Sequence, residues 1–292
     1  MIRKLRIFLE MIKVEHTIFA LPFAYMGMLL GSVTMEGHLP SWAEAGWITL
    51  AMIGARSTAM GLNRLIDKAI DLRNPRTEKR ALPAGLLKTG EVVLFVILSF
   101  VLFFIAASQL NPICLKLMPI AIFFLVIYSY AKRFTWLCHV ILGLTIGLAP
   151  LGGWVAVTGS FHPGAWVLYV AIVFWLAGFD TIYALQDIDF DREEKVYSIP
   201  ARFGVNRSLT IAKLFHVITA ACFLLLFVIT DLSWLYLAGV VISLGILFYE
   251  HLILKPTDMS RLQTAFFTMN GALAITMLAF TILDLAVIRA WS

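Results

Sequence analysis

The sequence predicts an all-α, polytopic membrane protein with nine transmembrane helices in one bundle around a central cavity. Three observations carry that expectation. Of 292 residues, 61% are hydrophobic and only 14% charged, where a soluble domain holds roughly 45–50% and 25%; mean hydropathy is +0.89. Apolar runs long enough to cross about 30 Å of hydrocarbon recur along the chain. The connections between them alternate between basic and free of Lys and Arg.

The chain opens on residues 1–16, which mix basic residues with Leu, Ile and Phe. Glu10, Lys13 and Glu15 interrupt any signal-peptide core, so the segment reads as an amphipathic stretch at the inner interface, not a cleaved signal. The nine spans then fall at 17–34, 46–66, 91–109, 113–131, 137–157, 165–187, 208–230, 233–254 and 263–284. Connections after the odd-numbered spans carry no Lys or Arg. Those after the even-numbered spans carry Arg73, Arg76, Lys79, Arg80 and Lys88, then Lys132 and Arg133, then Arg192, Lys195, Arg202 and Arg207, then Lys255 and Arg261. This bias places the N-terminus in the cytoplasm and the C-terminus outside. The net charge of +5 is therefore a topology signal and argues against nucleic-acid binding. Cys114, Cys138 and Cys222 lack paired spacing and read as buried thiols. The whole of 1–292 reads as one transmembrane domain, with two long cytoplasmic loops at 68–90 and 188–207 following the second and sixth spans. Between them, Gly143 and Gly147 form a small-xxx-small pattern suited to close helix packing.

Each long loop adjoins a cluster of carboxylates. Asn63, Asp67 and Asp71 are spaced four and four, so they drift only about 80° around a helix and share one face. Arg56, seven residues earlier, sits deeper on that face. In the second cluster, Asp180, Asp187 and Asp191 lie within about 20° of one line if the sixth helix continues, with Tyr183 close by and Asp189 opposite. Arg56 and Asp180 are ionisable groups inside otherwise apolar spans, which usually face a bundle interior or polar cavity. Taken singly, an intramembrane Asp is as readily a packed polar contact, and a loop Asp a solvated charge. Two acidic faces at one leaflet, each beside Lys and Arg, point instead to Mg²⁺ bridging carboxylates to phosphates. A membrane site of that kind implies a lipid diphosphate.

Asn63-x3-Asp67-x3-Asp71, followed by Arg76-Thr77-x2-Arg80-x-Leu82-Pro83-x-Gly85 and later by Asp180-x2-Tyr183-Ala184-x2-Asp187-x3-Asp191, resembles the UbiA family of intramembrane aromatic prenyltransferases. The resemblance extends over nearly the whole chain and includes Tyr128-x3-Lys132-Arg133-Phe134-Thr135. Within the family the pattern looks most like the 4-hydroxybenzoate polyprenyltransferases of quinone pathways. It implies Mg²⁺-dependent transfer of a polyprenyl group from a polyprenyl diphosphate to a ring carbon of an aromatic acid. It further implies that Asn63, Asp67, Asp71, Asp187 and Asp191 hold two Mg²⁺ ions on the diphosphate, and that Arg56 lies near the diphosphate or the acceptor. Asp189 is an additional acid within the second motif, and Ala81 stands where many members carry proline.

In such a reaction Arg76, Lys79, Arg80, Lys132, Arg133 and Lys195 are candidate diphosphate contacts. Asp180, Asp187 or the released diphosphate is the candidate base, and Tyr183 a candidate shield for the allylic cation. Arg133 pairs with an acceptor carboxylate or simply sets topology. Lys195 contacts diphosphate or pairs with Asp191. Arg64 points about 100° from Asn63 and is expected at lipid headgroups. The six histidines show no ligand spacing and receive no role. The same chemistry on a dihydroxynaphthoate, a tetrapyrrole or a phosphosugar lipid precursor is the runner-up. A secondary transporter shares midplane charges and repeats, but has little use for acidic faces clustered at one leaflet.

Overall fold

The computed structural model describes residues 2–13 and 17–290. The chain is helical almost throughout: α1 Ile2–Met11, α2 Thr17–Glu36, α3 Trp42–Arg73, α4 Thr89–Ser108, α5 Ile113–Ala131, α6 Cys138–Thr158, α7 Pro163–Tyr183, α8 Ile188–Glu193, α9 Ile199–Ile229, α10 Trp234–Leu252 and α11 Asn270–Ala290. A 3₁₀ turn, Ala184–Asp187, joins α7 to α8, and a π-helical turn, Thr264–Met269, leads into α11.

Among the described residues, eight helices are long and apolar enough to cross a membrane. The second of the nine expected spans is α3, which misses that apolarity because Arg56, Asn63, Arg64 and Asp67 lie along it. Its 32 residues extend about 48 Å at 1.5 Å per residue, well beyond the hydrocarbon thickness. The expected boundary at residue 66 was therefore too early: the helix runs on to Arg73, carrying the whole first acidic motif on one rod. Its start is fixed by a capping box in which Ser41 Oγ accepts from Glu44 N–H and Glu44 accepts from Ser41 N–H.

Helices α3, α5, α6, α7, α9, α10 and α11 each pack on the next, α2 packs on α6 and α11, and α4 packs on α3. The core between them is aromatic. Phe23 meets Trp175 edge-on at 4.9 Å, and Trp154, Phe223 and Tyr236 are fully buried nearby. The outward faces are apolar too: Val217, Val228, Val241 and Phe248 are 63, 70, 62 and 70% exposed. Such a belt has no place in water and is the surface lipid covers. The protein is integral to a membrane.

Helix α1 lies where the interfacial segment was expected. Phe8 stacks on Phe95 of α4 at 4.8 Å, and Met11 and Ile12 pack with Leu82, Leu87 and Val92. Met1 and residues 14–16 of that expected segment lie outside the described residues. The second long loop is shorter than expected, because helix resumes at Ile199. It breaks only at Gly204, whose φ of 76° and ψ of 171° suit glycine alone.

Candidate functional site

At one end of the bundle, the ends of α3, α5, α6 and α7, with the segments after α3 and α7, line a cavity of about 350 Å³. Asn63, Asp67 and Asp71 face it from α3, together with Arg56 one to two turns deeper. Arg76 and Arg80 enter from the loop after α3, Lys132 from the end of α5, and Asp180, Tyr183, Asp187 and Asp191 from α7 and beyond. The two acidic clusters, more than 100 residues apart, thus share one space.

The loop after α3 is folded back by its own polar groups. Asn74 caps the helix with its N–H to the Ile70 carbonyl, and its side-chain oxygen accepts from Arg76 N–H. Thr77 Oγ1 donates to the Asp71 carbonyl at 2.9 Å. These bonds return Arg76 and Arg80 over the helix end, so that each meets a carboxylate. Arg80 Nη1 donates to both oxygens of Asp71 at 2.9 Å. Arg76 binds Asp187 in a two-pronged pair, Nε to Oδ1 at 2.8 Å and Nη2 to Oδ2 at 2.6 Å, with Asn74 Nδ2 adding a bond at 3.0 Å. Burial opposes the Arg76 charge, but the bonds to Asp187 outweigh it and raise its pKa above the ordinary guanidinium value. The same guanidinium reaches Tyr183 Oη at 3.3 Å and sits 5.4 Å from its ring centre.

Asp67 is nearly fully buried and receives Lys132 Nζ at 2.7 Å, Arg133 Nη1 at 2.9 Å and Asn63 Nδ2 at 2.7 Å. Asp191 accepts from Ser198 Oγ at 2.8 Å. The charges of Asp67, Asp71 and Asp187 are thus each met by Arg or Lys, while Asp191 is held by a hydroxyl. Among the described residues no three Asp, Glu, His or Cys converge on a single point that would hold a metal by themselves; the oxygen donors stand in small sets on opposite walls.

Several expectations need correction. Arg64 does not reach headgroups. It is 6% exposed, lines the cavity, donates to Asn63 Oδ1 at 3.2 Å and lies 3.9 Å from Asp71 Oδ2. Its Nε also donates to the Met11 carbonyl, as Arg56 does to that of Lys13 at 2.8 Å, so α1 is held over the cavity by both arginines. Asp180, Asp187 and Asp191 do not form one straight line: the 3₁₀ turn winds about 120° per residue against 100° in an α-helix, and Asp180 instead meets His139. Asp189 is exposed and outside the cavity, as its opposite phase suggested. Lys79 and Lys195 are also exposed and outside it, and Ser198 takes the place expected of Lys195 beside Asp191. Arg133 does not line the cavity; it is bound to Asp67 and to the Ser129 and Ile66 carbonyls.

The sequence reading missed Arg64, Asn74, Ser198 and His139. It also missed the cavity's apolar end, where Phe19, Phe179 and Phe266 gather with centroids 5.5–5.6 Å apart. Phe266 belongs to the π-helical turn, which brings its ring to 4.1 Å from that of Tyr183. None of these had a local signal in the sequence, because each acts through a partner on another segment of the chain.

The chain is similar to known proteins over most of its length. The model of the UbiA prenyltransferase family matches residues 20–272. A 4-hydroxybenzoate octaprenyltransferase of Vibrio campbellii is 28% identical over 255 residues, covering 87% of this chain and 85% of that one. An apo structure of a UbiA homolog from Aeropyrum pernix K1 superposes with a TM-score of 0.83 at 32% identity, covering 92% of this chain and 98% of the other. A UbiA homolog from Archaeoglobus fulgidus bound to GPP and Mg²⁺ shares the fold, with a TM-score of 0.69 at 20% identity over 96% and 99% of the two chains.

Proposed function

The chain belongs to the UbiA prenyltransferase family and is a prenyltransferase; from that premise we propose that it moves a polyprenyl group from a polyprenyl diphosphate to a ring carbon of a 4-hydroxybenzoate-like aromatic acid. The observation that carries the reading is the joining of both acidic clusters with Arg76, Arg80 and Lys132 around one cavity whose far end is aromatic. A diphosphate suits the charged end, and an isoprenoid the apolar one.

Mg²⁺ fits the donor set. It favours oxygen ligands and takes one or two carboxylates, with phosphate oxygens and waters completing its shell, which matches small sets of Asp on opposing walls. Asn63, Asp67 and Asp71 would hold one ion, and Asp187 and Asp191 a second. When bound, the metal supplies positive charge that eases departure of the diphosphate. Arg76, Arg80 and Lys132 release their carboxylates to meet phosphate oxygens, so the site keeps its charge balance as it fills. Tyr183, Phe179 and Phe266 present ring faces to the allylic cation and keep water from it. Arg56, deeper in the cavity, offers a guanidinium to the acceptor. Asp180 takes the ring proton. Both loops then lie on the cytoplasmic side, where the diphosphate donor is water-accessible.

The test is direct. Purified protein with Mg²⁺, one polyprenyl diphosphate and a panel of aromatic acids is expected to yield a single class of prenylated product by mass. EDTA should stop turnover and excess Mg²⁺ restore it. Asp67→Ala and Asp187→Ala should insert into membranes yet transfer nothing; turnover without metal, or full activity in both variants, would overturn the metal assignment.

A further inference from the structure

Among the described residues, Asp180 and Asp191 are the acids of the cavity that make no ion pair with Lys or Arg, whereas Asp67, Asp71 and Asp187 each make at least one. Asp191 is bound by the Ser198 hydroxyl; Asp180 is bound otherwise. Its partner is His139, with Nδ1 at 2.7 Å from Oδ2. His139 is buried, 4% exposed, and its other nitrogen, Nε2, accepts the Ile199 backbone N–H at 3.4 Å. A backbone N–H can only donate, so Nε2 carries the lone pair and Nδ1 carries the proton. The imidazole is thereby held in one tautomer, donating to Asp180. Asp180 Oδ1 has no hydrogen bond among the described residues, and Asp180 lines the cavity.

We infer that His139 is a positioning residue that orients Asp180 as the base of the prenyl transfer. This rests on the function proposed above. In the reaction the prenyl C1–O bond breaks and both its electrons leave with the diphosphate. A π pair of the arene forms the new carbon–carbon bond. The proton on the attacked ring carbon then passes to Asp180 Oδ1, and the C–H electron pair restores aromaticity. The imidazole, fixed between the Ile199 N–H and Asp180 Oδ2, holds the carboxylate in place. The pairing is built into the helix packing. Gly143, one turn after His139, lets α6 touch α7 so closely that a Cβ there would sit 2.3 Å from the Val173 carbonyl oxygen. Asp180 lies two turns further along α7 from that contact.

The test compares wild type, His139→Leu and His139→Asn with one prenyl diphosphate and 4-hydroxybenzoate, either protiated or deuterated ortho to the hydroxyl. In wild type the isotope ratio kH/kD is expected near unity, with ionisation limiting. In His139→Leu, kcat should fall about tenfold to a hundredfold with KM little changed, and kH/kD should rise because proton removal now limits. His139→Asn, whose Nδ2 takes the place of Nδ1, should recover both. Should the leucine variant fail to fold, His139→Gln serves Ile199 while leaving Asp180 without its donor, and carries the same expectation. Unchanged kinetics, or a lower kcat with kH/kD still near unity, would overturn the inference alone. Absence of transfer by wild type to any aromatic acid would overturn the reading beneath it as well.

Discussion

At the residue scale, the two-pronged Arg76–Asp187 pair is the contact most exposed to test. Its geometry needs the planar fork of arginine, and lysine offers a single point charge. Arg76→Lys keeps the charge but loses one of two charge-assisted bonds, each worth about 1.5–3 kcal/mol, or roughly a tenfold to hundredfold change. We expect kcat/KM for the prenyl diphosphate to fall by that factor with the protein still folded and inserted; an unchanged value would remove Arg76 from the diphosphate site. What could be read in advance at this scale was periodic. Asn63, Asp67 and Asp71 repeat every four residues and declared a face before any fold was known. Arg64 and His139 could not be read so. The direction of Arg64 depends on α1 lying across it, with the Met11 carbonyl as its acceptor. The role of His139 depends on a partner 41 residues away. Long-range contacts of single side chains leave no local pattern.

At the element scale, the close contact of α6 and α7 decides whether His139 and Asp180 meet. The Gly143 and Gly147 pattern was legible as a packing face, though not its partner. The structure supplies α7, with Val173 and Tyr169 against the two glycines. Gly143→Ala would place a methyl group 2.3 Å from a backbone oxygen, which no rotamer change can relieve. Overpacking of this kind costs about 1–3 kcal/mol. We expect a lower Tm in detergent and a lower kcat, since α7 carries Asp180 and leads into Asp187; equal Tm and kcat would show that α6 and α7 are not held this tightly. The 3₁₀ turn at Ala184–Asp187 was the opposite case. Its residues carry no break signal, and an uninterrupted helix was the natural expectation. Only the need to bring Asp187 to Arg76 while Asp180 reaches His139 gives the turn its sense.

At the scale of the whole molecule, the open matter is which way the bundle faces. The apolar helices and their exposed apolar belt establish that it sits in a membrane, and are silent on direction. The argument for direction is electrostatic. Every Lys and Arg of the even-numbered connections lies on the face that carries the cavity mouth, while the connections around Gly37, Asn111, Gly159 and Asp231 carry none. Translocating the basic loops is opposed by their charges, so we propose that the cavity mouth faces the cytoplasm. A variant with Cys114, Cys138 and Cys222 replaced gives the check. Lys79→Cys, on the exposed loop beside the site, should react with a membrane-impermeant thiol reagent only in vesicles that turn the cytoplasmic face outward. Leu39→Cys, half exposed between α2 and α3, should react only in vesicles of the reverse sidedness. Swapped labelling would invert the bundle and overturn the proposed orientation. Labelling as expected would tie the charge bias of the loops to the access of the site.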